Sequence, residues 1–143
     1  MLHVVTHCVS ETESFAEQLA KNLRPGDVIA YRGGLGMGKT AFTRGLAKGL
    51  GLDAHVCSPT FSLVNEYRGD NGVTLYHFDM YRVTSWEDLY STGFFDYLDG
   101  NSILAIEWSE NIPDALEDPI VITIAPGKEE SWREITVEGG NRF

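Results

Sequence analysis

Hydrophobic residues in the first third of the chain form two helical patterns separated by one short apolar run. A polar run at residues 10–13 has the pattern of a helix-capping box, and the apolar positions after it lie three or four residues apart, which predicts a first helix over about residues 11–23. Residues 27–33 form a short apolar run between turn residues, typical of a buried strand. A second helical pattern follows at Phe42, Leu46 and Leu50 and ends at Gly51. The predicted order is therefore helix, strand, glycine-rich loop and helix.

The rest of the chain predicts more strands than helices. Two strand-like runs, 61–69 and 73–82, are separated by Asp-Asn-Gly, which predicts a hairpin. A second capping-box pattern at residues 84–87 opens a short helical region that we expect to reach about Tyr97. Residues 102–108 predict a buried strand that ends in an acid, and the segment from residue 120 onward predicts two strands joined by a Pro-Gly loop. Together these elements predict an α/β fold with a mixed, mainly parallel sheet between layers of helices.

Length and charge narrow the classes of function. We expect residues 1–143 to form a single domain, because this length buries a sizeable core but is too short for a second domain of normal size. The formal net charge is −10, from 21 acidic and 11 basic residues. Binding to a nucleic-acid backbone needs clustered Lys and Arg, so this charge argues against autonomous binding of tRNA or DNA. A few phosphates can still bind where backbone N–H groups converge.

Cysteine usage and the N-terminal residues indicate a reduced, cytoplasmic setting. Cys8 and Cys57 form no CxxC pair, so neither a disulfide framework nor a zinc site is predicted. Polar and charged residues within the first twenty positions argue against a signal peptide or a membrane span there. His3 and His7 have the i, i+4 spacing of metal ligands, but they lack the glutamate of an HExxH motif and lie in a strand-like segment, which disfavours a metal role.

The glycine-rich loop GGLGMGKT matches the phosphate-binding pattern G-x-x-x-x-G-K-[ST] at Gly33, Gly38, Lys39 and Thr40. A predicted strand precedes the loop and a predicted helix follows it. This order is required because the helix N-terminus points free N–H groups and its positive dipole end at the phosphates. Glycines let the backbone approach the phosphates closely. Lys39 would contact the β- and γ-phosphates and the Thr40 hydroxyl would bind Mg²⁺, whereas a merely flexible glycine turn would not need these neighbouring elements.

A P-loop protein also needs an acid near Mg²⁺, and two residues qualify. Asp79 and Glu107 each end an apolar strand, at the edge where α/β sheets bind ligands. An acid at such a position is otherwise a helix cap or a solvated turn residue. The residues alone leave open which of the two serves the metal.

The segment Ser-Pro-Thr at residues 58–60 lies where other P-loop proteins carry a part that senses the γ-phosphate. Thr60 is therefore a candidate for contact with the metal or the γ-phosphate, and a proline turn that enters a strand is an equally good interpretation. No NKxD motif and no DxxG motif follow the P-loop, which disfavours a GTPase. A small phosphotransferase would need an acceptor pocket and a lid, for which the sequence offers no segment.

Four ordered blocks, GGLGMGKTAFTRGL, SPTFSLVNEY, YHFDMYRV and AIEWSEN, resemble the bacterial TsaE family, also called YjeE, over about residues 11–137. The resemblance implies a P-loop NTPase fold, as a three-layer sandwich, and an ATPase that takes part in making N6-threonylcarbamoyladenosine at position 37 of tRNAs that read ANN codons. It also implies two partner proteins, TsaD and TsaB, which would hold the tRNA for an acidic chain that binds it only indirectly. The chain departs from the family at Met80, where leucine is usual, and at Gly34, where Asp or Glu is common. Neither departure removes a phosphate or metal ligand.

The resemblance also ranks the candidate residues, with ATP and Mg²⁺ as the implied cofactors. It assigns Thr40 and Glu107 to the metal. It makes Asp79 a catalytic or water-organising acid, with Lys39 and Glu107 also in the catalytic set. Trp108 follows Glu107 in the family's Glu-Trp pair. It places the C-terminal hairpin near the adenine, although residues on a hairpin often serve packing alone. The predicted nucleotide-binding residues are Gly33, Gly34, Leu35, Gly36, Met37, Gly38, Lys39, Thr40, Ala41, Thr60, Trp132 and Arg133.

One alternative of a different class remains. The chain could be a nucleotide-gated interaction module, in which bound ATP sets the shape of a docking surface and hydrolysis is incidental. This alternative keeps the same P-loop but makes binding, rather than hydrolysis, the functional event. The role of Glu107 in turnover separates the two interpretations.

Overall fold

The computed structural model describes residues 1–34, 36–52, 64–69 and 72–143. Three short 3₁₀ turns, at Phe94–Tyr97, Ser109–Asn111 and Pro113–Ala115, supplement the longer elements. Those elements, in chain order, are β1 Leu2–Thr6, α1 Val9–Ala20, β2 Val28–Arg32, α2 Lys39–Gly49, β3 Val64–Arg68, β4 Thr74–Asp79, α3 Trp86–Ser91, β5 Ile103–Glu107, β6 Ile120–Pro126 and β7 Arg133–Gly139.

The strands form one sheet in the order β1-β7-β6-β2-β5-β4-β3. The central strands β6, β2, β5 and β4 are parallel to one another, and the outer pairs β1–β7, β7–β6 and β4–β3 are antiparallel. The prediction of an α/β fold with a mixed sheet is confirmed, and so are both predicted hairpins. Because β2, β4, β5 and β6 run in the same direction, their carboxyl ends meet at one edge of the sheet.

Helices and turns cover both faces of the sheet, which confirms the predicted three layers. Alternate residues of β5 pack into different apolar clusters: Ile103 and Ala105 face α1 and α2, whereas Leu104 and Ile106 face the layer that contains α3. This alternation follows from the two-residue period of a strand. Both faces are apolar because a parallel strand at the centre of a sheet is covered on both sides.

Helices α1 and α2 pack closely enough that their contact requires glycine. A Cβ atom on Gly45 would lie 2.3 Å from the backbone oxygen of Glu13, and one on Gly49 would lie 2.4 Å from that of Glu17. At the rim of this contact, Arg44 pairs with Glu13 at 2.5 Å. The helix that begins at the P-loop is therefore held by backbone-to-backbone contact with α1.

The structure differs in detail from both predicted helical regions outside the P-loop, although the later region reaches Tyr97 as predicted. The first helix spans Val9–Ala20, not 11–23, and Cys8 precedes it without a side-chain cap, so the predicted capping box at residues 10–13 does not form. The later helical region divides into α3 and a 3₁₀ turn, because Gly93 adopts a left-handed conformation (φ +76°) between them. The cap of α3 is Ser85, which accepts a hydrogen bond from the Asp88 N–H at 3.1 Å, one residue later than the pattern predicted.

Within the described parts of the chain, no helix has both the length and the apolar character needed to cross a membrane.

Candidate functional site: a P-loop cleft at the carboxyl edge of the sheet

The glycine-rich loop connects the end of β2 to the start of α2, as predicted. Gly33, Gly36 and Gly38 all have positive φ, at 138°, 74° and 109°. A Cβ on Gly33 would lie 2.4 Å from the backbone oxygen of Ile124 in β6, so this glycine allows the loop to leave the sheet. Cβ atoms on Gly36 and Gly38 would meet nothing within 4 Å, which leaves the outer side of the loop open for a ligand. Leu35, a predicted nucleotide-binding residue, lies outside the described residues.

The N-terminus of α2 presents free backbone N–H groups. Gly38 is the N-cap residue and offers no side-chain acceptor, and its carbonyl accepts the Phe42 N–H at 2.9 Å as the helix begins. A helix N-terminus without a side-chain cap leaves donors that an anion can satisfy. Lys39 and Thr40 form the first turn of this helix, so the sequence places a cation and a hydroxyl beside these donors.

The Lys39 side chain is held against Trp108. Lys39 as a whole is 7% exposed, and its Nζ lies 5.4 Å from the centre of the Trp108 ring. Trp108 follows β5 directly and has a left-handed backbone (φ +59°), a conformation that costs a non-glycine residue of order 1–3 kcal/mol. On its other contact, the Trp108 ring packs at 60° to the Tyr81 ring, 5.0 Å between centres. The Glu-Trp pair therefore places an aromatic ring next to the P-loop lysine.

A buried hydrogen-bond chain supports the first turn of α2 from below. The Thr43 hydroxyl donates to the Lys39 carbonyl at 2.8 Å, and the Tyr31 hydroxyl donates to Thr43 Oγ1 at 2.7 Å. The Ser109 hydroxyl donates to the Tyr31 carbonyl at 3.1 Å. Burial raises the pKa of the Tyr31 phenol well above its usual value. Tyr31 thus stays neutral and fixes the strand before the loop to the helix after it.

The two predicted acids end neighbouring parallel strands and lie side by side. Asp79 and Glu107 are register partners in the β4–β5 pair. Glu107 lines the cleft together with Lys39 and Thr40. Asp79, in contrast, accepts a hydrogen bond from the Tyr81 N–H at 2.9 Å and is not among the described residues that line this cleft. The geometry therefore agrees with Glu107 as the acid nearest the P-loop.

Sequence reasoning missed His77, a fully buried histidine on β4. Its Nε2 lies 2.6 Å from Glu107 Oε2, within ion-pair distance, although the atoms are not aligned as in a straight hydrogen bond. Thr74–Asp79 alternates faces, so His77 and Asp79 lie on the same face of the sheet as α2. That alternation in YHFD was the available signal.

The cleft has a volume of about 290 Å³ and an acid opposite a loop of backbone donors. Its described lining consists of Gly34, Gly36, Met37, Gly38, Lys39, Thr40 and Glu107. Over the described ranges, no group of three or more His, Cys, Asp or Glu side chains converges on a metal position. One carboxylate and one hydroxyl fit Mg²⁺, which is usually bound by one or two carboxylates together with phosphate oxygens and water.

A second pocket of about 290 Å³ lies on the other side of the loop and is mainly apolar. Strand β6 ends at the carboxyl edge, so the hairpin to β7 brings Arg133 to the loop, where its Nε donates to the Met37 carbonyl at 3.1 Å. Trp132 packs edge-on against His7, with 4.5 Å between ring centres. The described lining of this pocket is Cys8, Val9, Thr12, Gly36, Met37, Gly38, Ala41, Ser131 and Arg133. Most predicted nucleotide-binding residues thus surround one loop, and Thr60 lies outside the described residues.

A larger cleft of about 420 Å³ lies at the opposite edge, near Gly26, Val28 and Ser102, where β2 and β5 begin. Ligands of α/β sheets bind at the carboxyl ends of the strands. The P-loop cleft therefore remains the better candidate site despite its smaller volume.

Comparison with known proteins agrees with this arrangement. The chain is similar to TsaE proteins of Rickettsia typhi (45% identity over 112 residues, 78% of this chain and 76% of the relative) and Bacillus subtilis (38% over 135 residues, 93% and 83%). The crystal structure of Bacillus subtilis YdiB superimposes with a TM-score of 0.83 at 35% identity, covering 99% of this chain and 88% of that chain. The family model described as "Threonylcarbamoyl adenosine biosynthesis protein TsaE" matches residues 6–135. The chain therefore belongs to the TsaE family of threonylcarbamoyl adenosine biosynthesis proteins and has its P-loop NTPase fold.

Proposed function

We propose that this protein is a Mg²⁺-dependent ATPase required for the threonylcarbamoyl modification of adenosine 37 in tRNAs that read ANN codons. The observation that carries the proposal is the convergence of Lys39, Thr40 and Glu107 on one cleft beside the P-loop backbone. Membership of the TsaE family supports the pathway. The residue types at this site favour phosphoryl transfer from ATP to water.

In this proposal the loop and the first turn of α2 bind the nucleotide phosphates. Backbone N–H groups of the loop and the helix N-terminus donate to phosphate oxygens, and Lys39 neutralises charge on the β- and γ-phosphates. The Trp108 ring restricts the Lys39 side chain, so less conformational entropy is lost when the ammonium contacts a phosphate. Bound Mg²⁺ would supply charge neutralisation at the phosphates, and Thr40 and Glu107 are the residues that would hold it.

Asp79 has a separate role in the proposal. Its backbone lies beside that of Glu107, and its Oδ1 is fixed by the Tyr81 N–H. A carboxylate fixed at the strand end, next to the metal-binding acid, suits the orientation of an attacking water molecule. Asp79 therefore completes the catalytic set with Lys39 and Glu107.

The mainly apolar pocket beside Met37 and Arg133 is the proposed adenine site. Its walls are mostly apolar, as suits an aromatic base, and it adjoins the glycines that would bind the phosphates. Trp132 lies on the same hairpin as Arg133 and contacts His7 at this edge. Both hairpin residues therefore remain candidates for contact with the base.

The proposed partners are TsaD and TsaB, with tRNA contacted only through them. A chain with a net charge of −10 is poorly suited to hold tRNA by itself. Because the proposed complex would modify tRNA, we propose that the activity is cytoplasmic.

The test uses Lys39→Ala, with Lys48→Ala on the exposed side of the same helix as the matched control. We expect Lys39→Ala to lower ATP hydrolysis by about 10²-fold or more, because it removes a charge that stabilises the transition state. Lys48→Ala should retain full activity, since the Lys48 side chain is exposed and contacts Glu17 at the rim of the helix pair, at 3.8 Å. Hydrolysis is measured with Mg-ATP in the presence of TsaD and TsaB, and modification is scored as threonylcarbamoyladenosine in tRNA. Undiminished turnover by Lys39→Ala would refute the ATPase assignment.

Glu107→Gln separates hydrolysis from nucleotide-gated binding. The ATPase proposal expects this variant to lose repeated rounds of modification along with hydrolysis. If it binds ATP, hydrolyses none and still supports many rounds of modification, ATP binding alone is the functional event. Modification that proceeds equally without the chain would remove the pathway assignment and leave the P-loop chemistry untouched.

A further inference from the structure

His77 is a buried polar residue that makes one polar contact with the part of the chain that the structure describes. It lies on β4 with 0% exposure, and its Nε2 is 2.6 Å from Glu107 Oε2. The other ring nitrogen, Nδ1, has no hydrogen-bond partner among the described residues. A buried imidazole that pairs through only one nitrogen retains an uncompensated desolvation cost, so an apolar side chain would serve packing better. The contact with Glu107 therefore distinguishes His77 from an ordinary core residue.

The strand register explains how this contact arises. In the parallel pair β4–β5, His77 is opposite Ala105 and Asp79 is opposite Glu107. His77 thus lies one pleat behind Glu107 on the same face, and the small Ala105 leaves room for the imidazole to reach the carboxylate. The Tyr31 ring packs at 71° to the His77 ring, with 6.5 Å between centres, which limits rotation of the imidazole. Glu107 is approached from the interior by His77 and opens on its other side to the P-loop cleft.

We propose that His77 is a positioning residue that holds the Glu107 carboxylate in the orientation needed to bind the metal. The inference rests on the proposed role of Glu107 as the Mg²⁺ ligand. Carboxylates that ligate metals are commonly held by a partner behind them, and loss of such a partner typically lowers metal affinity or activity about 10- to 100-fold. His77 acts through Glu107 and does not itself contact the nucleotide.

The test compares His77→Phe, which keeps a planar ring but removes both nitrogens, with His77→Gln, whose amide can still donate to the carboxylate. Binding of a fluorescent ATP analogue is measured without metal and across a Mn²⁺ titration, with Mn²⁺ followed independently by electron paramagnetic resonance. We expect His77→Phe to weaken Mn²⁺ binding to the nucleotide complex about 10-fold or more while metal-free nucleotide affinity stays unchanged. His77→Gln should recover most of the loss.

A double-mutant cycle with Glu107→Gln separates positioning from packing. If His77 acts through Glu107, adding His77→Phe to Glu107→Gln produces no further loss of Mn²⁺ affinity. Leu75→Val is the control, because Leu75 is buried on the same strand and the same face but lies away from Glu107. It should lower the melting temperature without changing Mn²⁺ affinity.

Two results would overturn the inference. One is that folded His77→Phe keeps the Mn²⁺ affinity of the wild type. The other is that His77→Phe lowers Mn²⁺ affinity by the same factor in the Glu107→Gln background as in the wild type. His77→Phe could fail to unfold cooperatively, and the same cycle is then run with His77→Gln and His77→Asn. The shorter Asn amide should reach Glu107 less well than the Gln amide, so the same Mn²⁺ affinity in the two variants would count against positioning. If Glu107→Gln alone leaves Mn²⁺ binding intact, the proposed role of Glu107 fails, which is a different result from failure of His77.

Discussion

The two faces of the sheet are covered in different ways. On one face, α1 and α2 have 12 and 11 residues and touch through backbone atoms at Gly45 and Gly49. On the other face, α3 has six residues, and the layer consists mainly of side chains packed around Phe78 and Phe94. The Phe78 and Phe94 rings meet edge-to-face with 5.3 Å between centres.

This difference matters because the P-loop belongs to the first face alone. Helix α2 begins at the loop, and backbone contact with α1 leaves it little freedom to move. The α3 face supplies buried apolar area but, among the described residues, none of those predicted to bind or act on the nucleotide, because Asp79 lies on the α2 face. We expect changes on the α3 face to alter stability alone, whereas changes between α1 and α2 should alter stability and nucleotide binding together.

The largest expected effect on stability is from Phe94→Ala. Phe94 is fully buried, so its removal should lower the free energy of unfolding by about 3 to 5 kcal/mol. Urea unfolding measures this loss, and Tyr90→Ala on the exposed side of the same layer is the control, with little change expected. ATP affinity, measured where the variant is folded, should match the wild type. A large loss of ATP affinity would show that the two faces are coupled and would contradict the comparison.

Gly45→Ala should affect both properties. Its new Cβ would lie 2.3 Å from the Glu13 oxygen and 2.7 Å from the Ala16 Cβ, so α2 must move away from α1. Such overpacking typically costs about 1 to 3 kcal/mol. Because α2 carries Lys39 and Thr40 in its first turn, we also expect weaker ATP binding, measured by calorimetry against the Lys48→Ala control. Wild-type ATP affinity in a destabilised Gly45→Ala would mean that helix packing does not position the loop.

Local patterns predicted the order of elements around the loop but not the contacts beneath it. The glycine motif, the strand before it and the helix after it depend on neighbouring residues, so the sequence carried them clearly. The chain from Ser109 through Tyr31 and Thr43, and the contact of His77 with Glu107, depend on which strands are neighbours and in what register. The alternation in YHFD could place His77 on the face of Asp79, but tertiary register is set by the whole core, so the local pattern could not reveal which residues these side chains contact.

The prediction of where α1 begins was wrong for a related reason. The predicted cap at Ser10 matched a local motif, but the hydroxyl groups of Thr6 and Thr12 meet at 2.7 Å in the interior and the Thr12 N–H bonds to the Cys8 carbonyl at 3.2 Å. These contacts fix the start of α1 shortly after the end of β1. The roles of the predicted site residues stay predictions, although the structure brings most of them to one edge of the sheet.

Ser85→Ala and Ser10→Ala compare the helix starts on the two faces. Ser85 accepts the Asp88 N–H and caps α3, so its replacement should cost about 1 kcal/mol. Ser10 lies within α1 and does not cap it. Alanine has a higher helix propensity than serine, so Ser10→Ala should be neutral or slightly stabilising. Thermal unfolding measures both variants. An equal loss in the two would restore the capping box predicted at residues 10–13.

The smallest expected effect is a pH dependence at the start of α3. Hydrogen bonds from the Thr84 hydroxyl and backbone N–H lower the pKa of the exposed Asp88 carboxyl. Because the pKa is lower in the folded state than in the unfolded state, ionised Asp88 stabilises the fold above its unfolded pKa, and this contribution is lost as the pH falls through the folded pKa. We therefore expect Asp88→Asn to be less stable than wild type near neutral pH, with the difference shrinking in acid. Melting temperatures followed from about pH 7 to about pH 2 measure the trend, with Glu87→Gln as the control in the same turn. A difference between Asp88→Asn and wild type that stays constant across this range would mean that the Asp88 carboxylate charge does not stabilise the α3 face.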